Sequence, residues 1–358
     1  MLQDEGFSRR EEVSISLQAE PPAPVAAVET RDPTVAGRAV APIIRLRLRT
    51  LLAVPVATAI ALGLHRFFSQ KELPAETRSY TLLLSGVLGA GLVMTLVQLW
   101  WPGLRRWMRD MCPILAAAVL LLTGWEAITA GFRLLPMPYF PSPAGVLQSL
   151  LNDRALLFDS TWHSLILLLS GYALGVLSGL ISGICIGWFS PARYWGMPVL
   201  KVVGPIPATA WIPLAMVVSP SAIISAASLI ALAVWFPVTM LTASGISNTR
   251  ASYLDVARTL GAGPAYLIFR VAIPAAIPSI FIGLFMGLGA SFLTLVVAET
   301  VGVKSGLGWY VSWAQGWAEY GKVFAALIIM AAFFSTIMTV LFKVRDRVLV
   351  WQKGMIKW

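Results

Sequence analysis

Long apolar runs constrain the fold of this 358-residue chain more than any other feature of its sequence. About 20 apolar residues in a helix cross the hydrocarbon core of a bilayer. A scan for that length predicts eight spans, at roughly 48–68, 80–101, 112–132, 164–188, 198–218, 221–244, 274–298 and 322–342. The first is the weakest, because its uncharged run covers only Thr50 to His65. We therefore predict an all-α, polytopic membrane protein with about eight transmembrane helices.

The composition agrees with a membrane protein, since 58% of the residues are hydrophobic and only 12% are charged. The net charge of +10 could suggest nucleic acid as a partner. In membrane proteins, however, Lys and Arg concentrate in cytoplasmic loops. With eight spans, most of the 27 basic residues fall on the side of the N-terminus. We expect both termini in the cytoplasm and contact with membrane lipids, but no binding of nucleic acid.

Signatures of metal binding and of enzyme chemistry are missing from the sequence. Cys112 and Cys185 lie in or beside apolar runs, and His65 and His163 have no ligand-spaced partners. The sequence contains no G-x-x-x-x-G-K-[ST] phosphate loop, no H-E-x-x-H and no G-x-S-x-G. We expect no metal, no bound cofactor and no catalytic residue in this chain, although a membrane-embedded enzyme stays a competing class.

Five glycines recur at intervals of four in the fourth predicted span: Gly171, Gly175, Gly179, Gly183 and Gly187. Each step of four residues advances a helix by about 400°, so the row winds slowly around the helix. Small residues at this spacing let two membrane helices approach closely. Static helix packing is the favoured interpretation, and a sliding surface for alternating access is the other.

The fifth predicted span contains Gly204, Pro205, Pro207 and Pro213, which interrupt a regular helix. Broken helices are tolerated at membrane depth only where they are buried in protein or line a wet cavity. We predict that Pro205, Pro207 and Trp211 form part of a pathway wall, with a simple packing kink as the alternative.

Among the charged residues inside predicted spans or at their ends, Glu126, Lys201 and Glu299 need an explanation. Each costs about 2.5–3.5 kcal/mol at a helix centre, so such residues tend to be paired or to face water. Lys201 is close enough to the cytoplasmic end of its span to reach the interface, and Glu126 is the deepest, with no partner evident from the sequence. Glu299, near the outer end of span seven, is either a pathway residue that gates or an interfacial carboxylate.

The loop before span seven reads DVARTLGAGPAYLIFRVAIP over residues 255–274. Ser252 and Asp255 have the spacing of a capping box, which predicts a short helix. Gly261 and the glycine and proline that follow predict its end. A second short helix over 265–272 would then lead into the span. The topology predicts that this helix, corner and helix lie in the cytoplasm.

The spacing within this loop resembles the EAA motif of the membrane subunits of bacterial ATP-binding-cassette importers, Glu-Ala-Ala-x3-Gly-x9-Ile-x-Leu-Pro. The matching residues are Asp255, Ala257, Gly261, Val271, Ile273 and Pro274. Asp255 stands where the motif has Glu, and Val256 stands where it has the first Ala. The resemblance implies a helix that couples the spans to a separate ATPase, with contacts from Asp255, Val256, Ala257, Arg258, Gly261, Ala262 and Pro274.

Further segments resemble the nitrate, sulfonate and taurine branch of these permeases, over about residues 113–345. They are Trp125–Glu126, Phe140–Pro143, His163–Leu165, Pro205–Leu214, Trp235–Pro237, Ala298–Glu299 and Gly306–Trp309. The resemblance implies a six-helix type I importer core at 111–346, preceded by two extra spans at 47–110. Cytoplasmic tails at 1–46, expected to be disordered, and at 347–358 complete the predicted organisation.

Further implications of the resemblance concern the assembly. The chain would be a permease subunit in a bacterial inner membrane, present in two copies and importing a small, anionic solute. ATP and magnesium would bind to the partner ATPase, and a periplasmic or lipid-anchored solute-binding protein would deliver the solute. A non-transporting scaffold or sensor is the alternative function.

Overall fold

Helices account for the regular structure, and the all-α prediction is confirmed. The computed structural model describes residues 52–68, 74–98, 100–136 and 138–350, and these ranges contain no strand. The predicted tail at 1–46 and most of the predicted tail at 347–358 lie outside the described residues. The helices are α1 Ala53–Phe68, α2 Pro74–Val97, α3 Pro102–Glu126, α4 Pro143–Asn152, α5 Arg154–Trp188, α6 Ser190–Val203, α7 Ile212–Val218, α8 Ala222–Ser247, α9 Ala251–Thr259, α10 Ile273–Val301, α11 Leu307–Gly316 and α12 Tyr320–Val348.

Six helical segments of the described residues are long and apolar enough to cross a membrane: Thr77–Val97, Trp107–Gly131, Arg154–Trp188, Ala222–Ser247, Pro264–Val301 and Tyr320–Val348. A seventh crossing results if α6 and the segment Ala208–Val218 form one span, bent by 86°. Helix α1 is apolar but has only 16 residues. The described residues of each predicted segment are mostly helical, the fifth with a break after Val203, while the count of eight spans stays a prediction.

The row of five glycines in α5 lies against α8, and the contacts advance in step along both helices. A methyl group added at Gly171 would meet Ile230, and one added at Gly187 would meet Ile246. At Gly175 it would lie 2.6 Å from the carbonyl oxygen of Ala231. The two backbones thus approach closely over about four turns, and the two helices run parallel.

Helix α10 runs antiparallel to α8 and completes a central group of three helices. Gly283 lies against the Pro237 carbonyl, and Gly245 of α8 lies against Ala276. The buried apolar side chains Leu168, Ile230 and Leu295 close the contact between α5, α8 and α10. The glycines at these contacts explain how the three helices approach one another closely.

The molecule has two opposite ends. The loop face carries α9, which is separated from the end of α8 by three residues. Because α5 and α8 run parallel, the first residues of α5 lie at the other end, which we call the opposite face. Helices α4 and α11 lie there, with Val146, Leu157 and Tyr310 in one buried cluster.

Helix α1 packs between α2 and α3. Val54 and Ala57 of α1 share a buried cluster with Met108 and Cys112 of α3. The predicted domain boundaries at 110/111 and 346/347 fall inside α3 and α12, so both helices continue across them. Cys112 is buried, Cys185 is partly buried and both are free thiols, while no group of three potential metal ligands occurs among the described residues.

Candidate functional site

Helix α9 lies on the loop face, and none of its residues is buried. Asp255 accepts a hydrogen bond from Arg258 at 3.0 Å, and both side chains are more than half exposed. The predicted capping box is wrong. The helix begins at Ala251, one residue before Ser252, and no side chain caps it. The Asp255 carboxylate pairs with the arginine one turn later instead of acting at the helix start.

Gly261 ends α9 in the way that the sequence predicts. Its φ is +84°, which L-residues with a side chain rarely adopt. The Gly261 N–H donates to the Arg258 carbonyl at 2.9 Å, and the Ala262 N–H donates to the Ala257 carbonyl at 3.0 Å. This pair of bonds is the Schellman motif, which satisfies carbonyls at a helix end. The corner after α9 is therefore fixed by hydrogen bonds.

The segment after this corner is continuous with α10. A single α-helical turn, Pro264–Tyr266, leads into a π-helical segment, Leu267–Ala272, and then into α10. Pro274 has no N–H for the Arg270 carbonyl, so a regular α-helical bond is impossible there. The Ile273 N–H bonds to the Ile268 carbonyl, five residues back. One helical rod of 38 residues thus connects the corner to the opposite face.

A concave surface of about 550 Å³ lies between α9 and the start of this rod. Its apolar rim includes Val256, Leu260 and Tyr266, which are 60%, 83% and 56% exposed. Gly261 and Ala262 form part of its wall. Large apolar side chains held in water on a rigid helix suit contact with another protein.

The fifth predicted span is broken between Val203 and Ala208. A cavity of about 300 Å³ opens at this break. Its lining includes Gly204, Pro207 and Thr209 from the break, Phe236 from α8, and Met286 and Thr294 from α10. The break thus places polar backbone beside a space between the central helices.

The four predicted pathway residues do not line one common cavity. Pro207 lines the cavity at the break, and Pro205 lines a neighbouring cavity of about 390 Å³ together with Lys201. Trp211 and Glu299 are not among the residues that line either space. The Trp211 indole N–H is buried and has no acceptor among the described residues.

Glu299 is 1% exposed, and its carboxylate lies at the start of α11. Its carboxylate accepts hydrogen bonds from Ser164 Oγ at 2.6 Å and from the Gly308 N–H at 2.8 Å. Ser164 Oγ in turn accepts from the Leu307 N–H at 2.9 Å. Gly306, with φ +99°, lies directly on the carboxylate. The acidic side chain therefore ties α5, α10 and α11 together at the opposite face.

Replacing Glu299 with Ala is expected to lower the free energy of unfolding by about 2–4 kcal/mol, because two buried donors lose their acceptor. Glu299→Gln keeps one acceptor oxygen and is expected to lose less. Thermal unfolding of the purified protein in detergent measures both. Asp110→Ala is the control, since this carboxylate is 64% exposed. Equal melting temperatures for Glu299→Ala and Asp110→Ala would show that the network contributes nothing.

Comparison with a protein family model identifies residues 171–349 as a binding-protein-dependent transport system inner membrane component. The matched residues contain the glycine row, the broken span, α9 and α10.

This chain aligns with most of the length of several individual relatives. A probable ABC transporter permease protein of Haemophilus influenzae is 32% identical over 63% of this chain and 91% of its own. The taurine transport system permease protein of Escherichia coli is 28% identical over 60% of this chain and 80% of its own. The nitrate import permease protein of Synechococcus elongatus is 26% identical over 63% of this chain and 84% of its own.

Proposed function

This chain belongs to the family of binding-protein-dependent transport system inner membrane components, and on that premise we propose that it is the permease subunit of an ATP-driven importer. It would couple a separate ATPase to its spans through residues 248–274. The observation that carries this proposal is the exposed α9, joined by the hydrogen-bonded Gly261 corner to a helical rod that reaches the opposite face.

A rigid connection is what such coupling requires. A displacement of α9 is transmitted to the spans only if the corner keeps its shape and the helix that follows it is continuous. The two Schellman bonds satisfy the first condition, and the unbroken helix from Pro264 to Val301 satisfies the second. The loop face would then be cytoplasmic, with both termini in the cytoplasm and the chain in a bacterial inner membrane.

The surface that α9 presents suggests how an ATPase would bind. Val256 and Leu260 offer apolar contact, while Asp255 and Arg258 form an exposed ion pair beside them. Such an exposed pair contributes little to stability, so its two side chains can exchange partners. We propose that Asp255 contacts the ATPase by leaving Arg258, and that Val256, Ala257, Gly261 and Ala262 form the apolar part of the contact.

The solute would be a small anion such as nitrate or a small sulfonate such as taurine. This proposal follows from the names of the relatives and from the space at the broken span. Lys201 supplies a cation beside the second cavity, where Pro205 also lies. The break at Pro207 would belong to the pathway, whereas the burial of Glu299 favours a structural role for that carboxylate.

Three further components complete the proposed importer. The ATPase would bind ATP and magnesium, a periplasmic or lipid-anchored protein would deliver the solute to the opposite face, and a second copy of this chain would complete the pathway. The relatives are transport permeases rather than enzymes. Accordingly, this chain would have no catalytic residue of its own.

Reconstitution in proteoliposomes tests the proposed function. With the ATPase and the solute-binding protein present, labelled taurine or nitrate should accumulate only when ATP and magnesium are on the ATPase side. Omission of the binding protein or of ATP provides the matched controls. A chain that binds the ATPase stably, yet transports neither solute, would instead be a scaffold or sensor.

A further inference from the structure

A buried polar pair joins the N-terminal helices to α3 near the opposite face. His65 Nδ1 of α1 is hydrogen-bonded to Glu126 Oε1 of α3, and the two residues are only 1% and 2% exposed. His65 Nε2 lies 2.9 Å from Thr81 Oγ1 of α2. One imidazole ring thus connects three helices.

The hydrogen bond of Thr81 indicates which nitrogen of His65 carries a proton. Thr81 Oγ1 donates to the Thr77 carbonyl, so it accepts from His65 Nε2–H. A hydrogen bond between His65 Nδ1 and Glu126 Oε1 then requires one proton between these two atoms. Removing either partner deprives the other of this buried hydrogen bond, which is costly.

A second contact lies one turn further on. Phe68 packs on Gly131, where an added methyl group would be 2.8 Å from the phenyl ring. In a regular α-helix Glu126 and Gly131 would point about 140° apart, because five residues rotate by about 500°. The π-helical segment Ala127–Gly131 places bonded residues five apart, with Phe132 N–H on the Ala127 carbonyl at 2.7 Å. Both residues can therefore face α1.

The same helices reach α4. Ala61 of α1 and Tyr80 of α2 share a buried cluster with Ala144 of α4. Ser79 Oγ donates to Gln148 Oε1 at 2.9 Å. Helix α4 in turn packs against α11 and α12 in the cluster that contains Tyr310. A continuous set of contacts therefore runs from His65 to the helices of the opposite face.

We infer that α1 and α2 are a fixed brace of the importer, fastened by the His65–Glu126 pair, which holds α4 and the opposite face in the shape that the solute-binding protein recognises. His65 and Glu126 are then positioning residues that act through α4. This inference rests on the proposed function, because it assigns the opposite face to the delivery of solute.

A double-mutant cycle on the full-length protein tests the fastener without any transport. His65→Gln and Glu126→Gln should each lower the melting temperature by about 5–10 °C, as expected when one partner of a buried pair is lost. The double variant should lose clearly less than the sum of the two. His163→Gln is the control, since its pair with Asp159 is exposed and should cost about 1 °C or less. Additive losses, or no loss from either single change, would overturn the fastener.

Titration of the solute-binding protein in proteoliposomes tests the brace. His65→Gln should raise the concentration for half-maximal uptake by about 3- to 10-fold and leave the maximal rate per folded complex within about twofold. Leu168→Ala is the control, because it weakens the buried centre of α5 away from the brace and should leave the half-maximal concentration unchanged.

The outcomes separate the two claims. An unchanged half-maximal concentration in His65→Gln, or the same shift in Leu168→Ala, would overturn the role in binding-protein recognition. If the unmodified protein showed no uptake, the proposed function would be contradicted. The role of the brace in that function would be contradicted as well. The melting temperatures would still decide whether the pair fastens α1 and α2 to α3.

Discussion

Gly261→Val is expected to abolish ATP-driven uptake while the amount of chain in the membrane stays unchanged. Gly261 has φ +84°, and this region of backbone space is strongly unfavourable for a β-branched residue. The valine would open the corner and break the two hydrogen bonds that end α9. Because α9 would then move independently of α10, we expect uptake to fall at least tenfold. Labelled solute uptake and quantitative immunoblotting of membranes measure the two quantities.

Gly263→Val is the matched control for this change. Gly263 has φ −72°, which any residue adopts, and no atom lies within 4 Å of the position of its Cβ. The position of the Gly261 Cβ is equally open, so the two variants differ in backbone strain and not in available space. We expect Gly263→Val to retain most of its uptake. Equal uptake by both variants would show that the shape of the corner is unimportant for transport.

Gly175→Leu is expected to prevent the protein from folding in the membrane. Its Cβ would lie 2.6 Å from both the Ala231 carbonyl oxygen and the Val234 Cβ, so α5 and α8 would have to separate. The contact is between backbones, and no flexible side chain can move away. Overpacking a tight contact costs about 1–3 kcal/mol or more, and here the neighbouring glycine contacts would be lost as well. We expect less than about a tenth of the normal yield of monodisperse protein, measured by size-exclusion chromatography.

Gly86→Leu provides the comparison, because Gly86 of α2 is exposed and no atom lies within 4 Å of its Cβ position. Its yield should be close to that of the unmodified protein. If Gly175→Leu also kept a normal yield, the close approach of α5 and α8 would not be needed for folding. Normal yield with lost uptake would instead favour a sliding contact over static packing.

Local chemistry made several features predictable from the sequence. The positions of the apolar runs predicted the helices, since the length of a span follows from the thickness of a bilayer. The left-handed end of α9 was predictable at Gly261, because glycine adopts positive φ without steric cost. The interval of four also predicted a close helix contact along α5, although spacing alone does not identify α8 as the partner.

Contacts between residues that lie far apart in the sequence could not be predicted from the sequence. The sequence alone names no partner for Glu126, and His65 lies 61 positions away on another helix. Ser164, which bonds to Glu299, is 135 positions away. Both carboxylates are buried at helix ends, and only the packing of three helices brings their partners near. For the same reason the pathway prediction for Glu299 missed its contact with α11.

The capping box failed for a local reason. Its spacing is compatible with two hydrogen-bond patterns, and Asp255 takes the second, with Arg258 one turn later. The π-helical segments at 127–131 and 267–272 were also not predictable from hydrophobic period. Pro274 is a signal for the second segment, because it removes the donor that an α-helix would use at Arg270.

Copurification followed by ATP hydrolysis tests the central claim most directly. The tagged chain, isolated from membranes of cells that express it with its ATPase and binding protein, should elute with the ATPase in a fixed ratio. Its ATP hydrolysis should rise when the loaded binding protein is added, and Gly261→Val should lose this stimulation while Gly263→Val keeps it. Elution without any ATPase, or hydrolysis that the binding protein and Gly261→Val leave unchanged, would contradict coupling through α9.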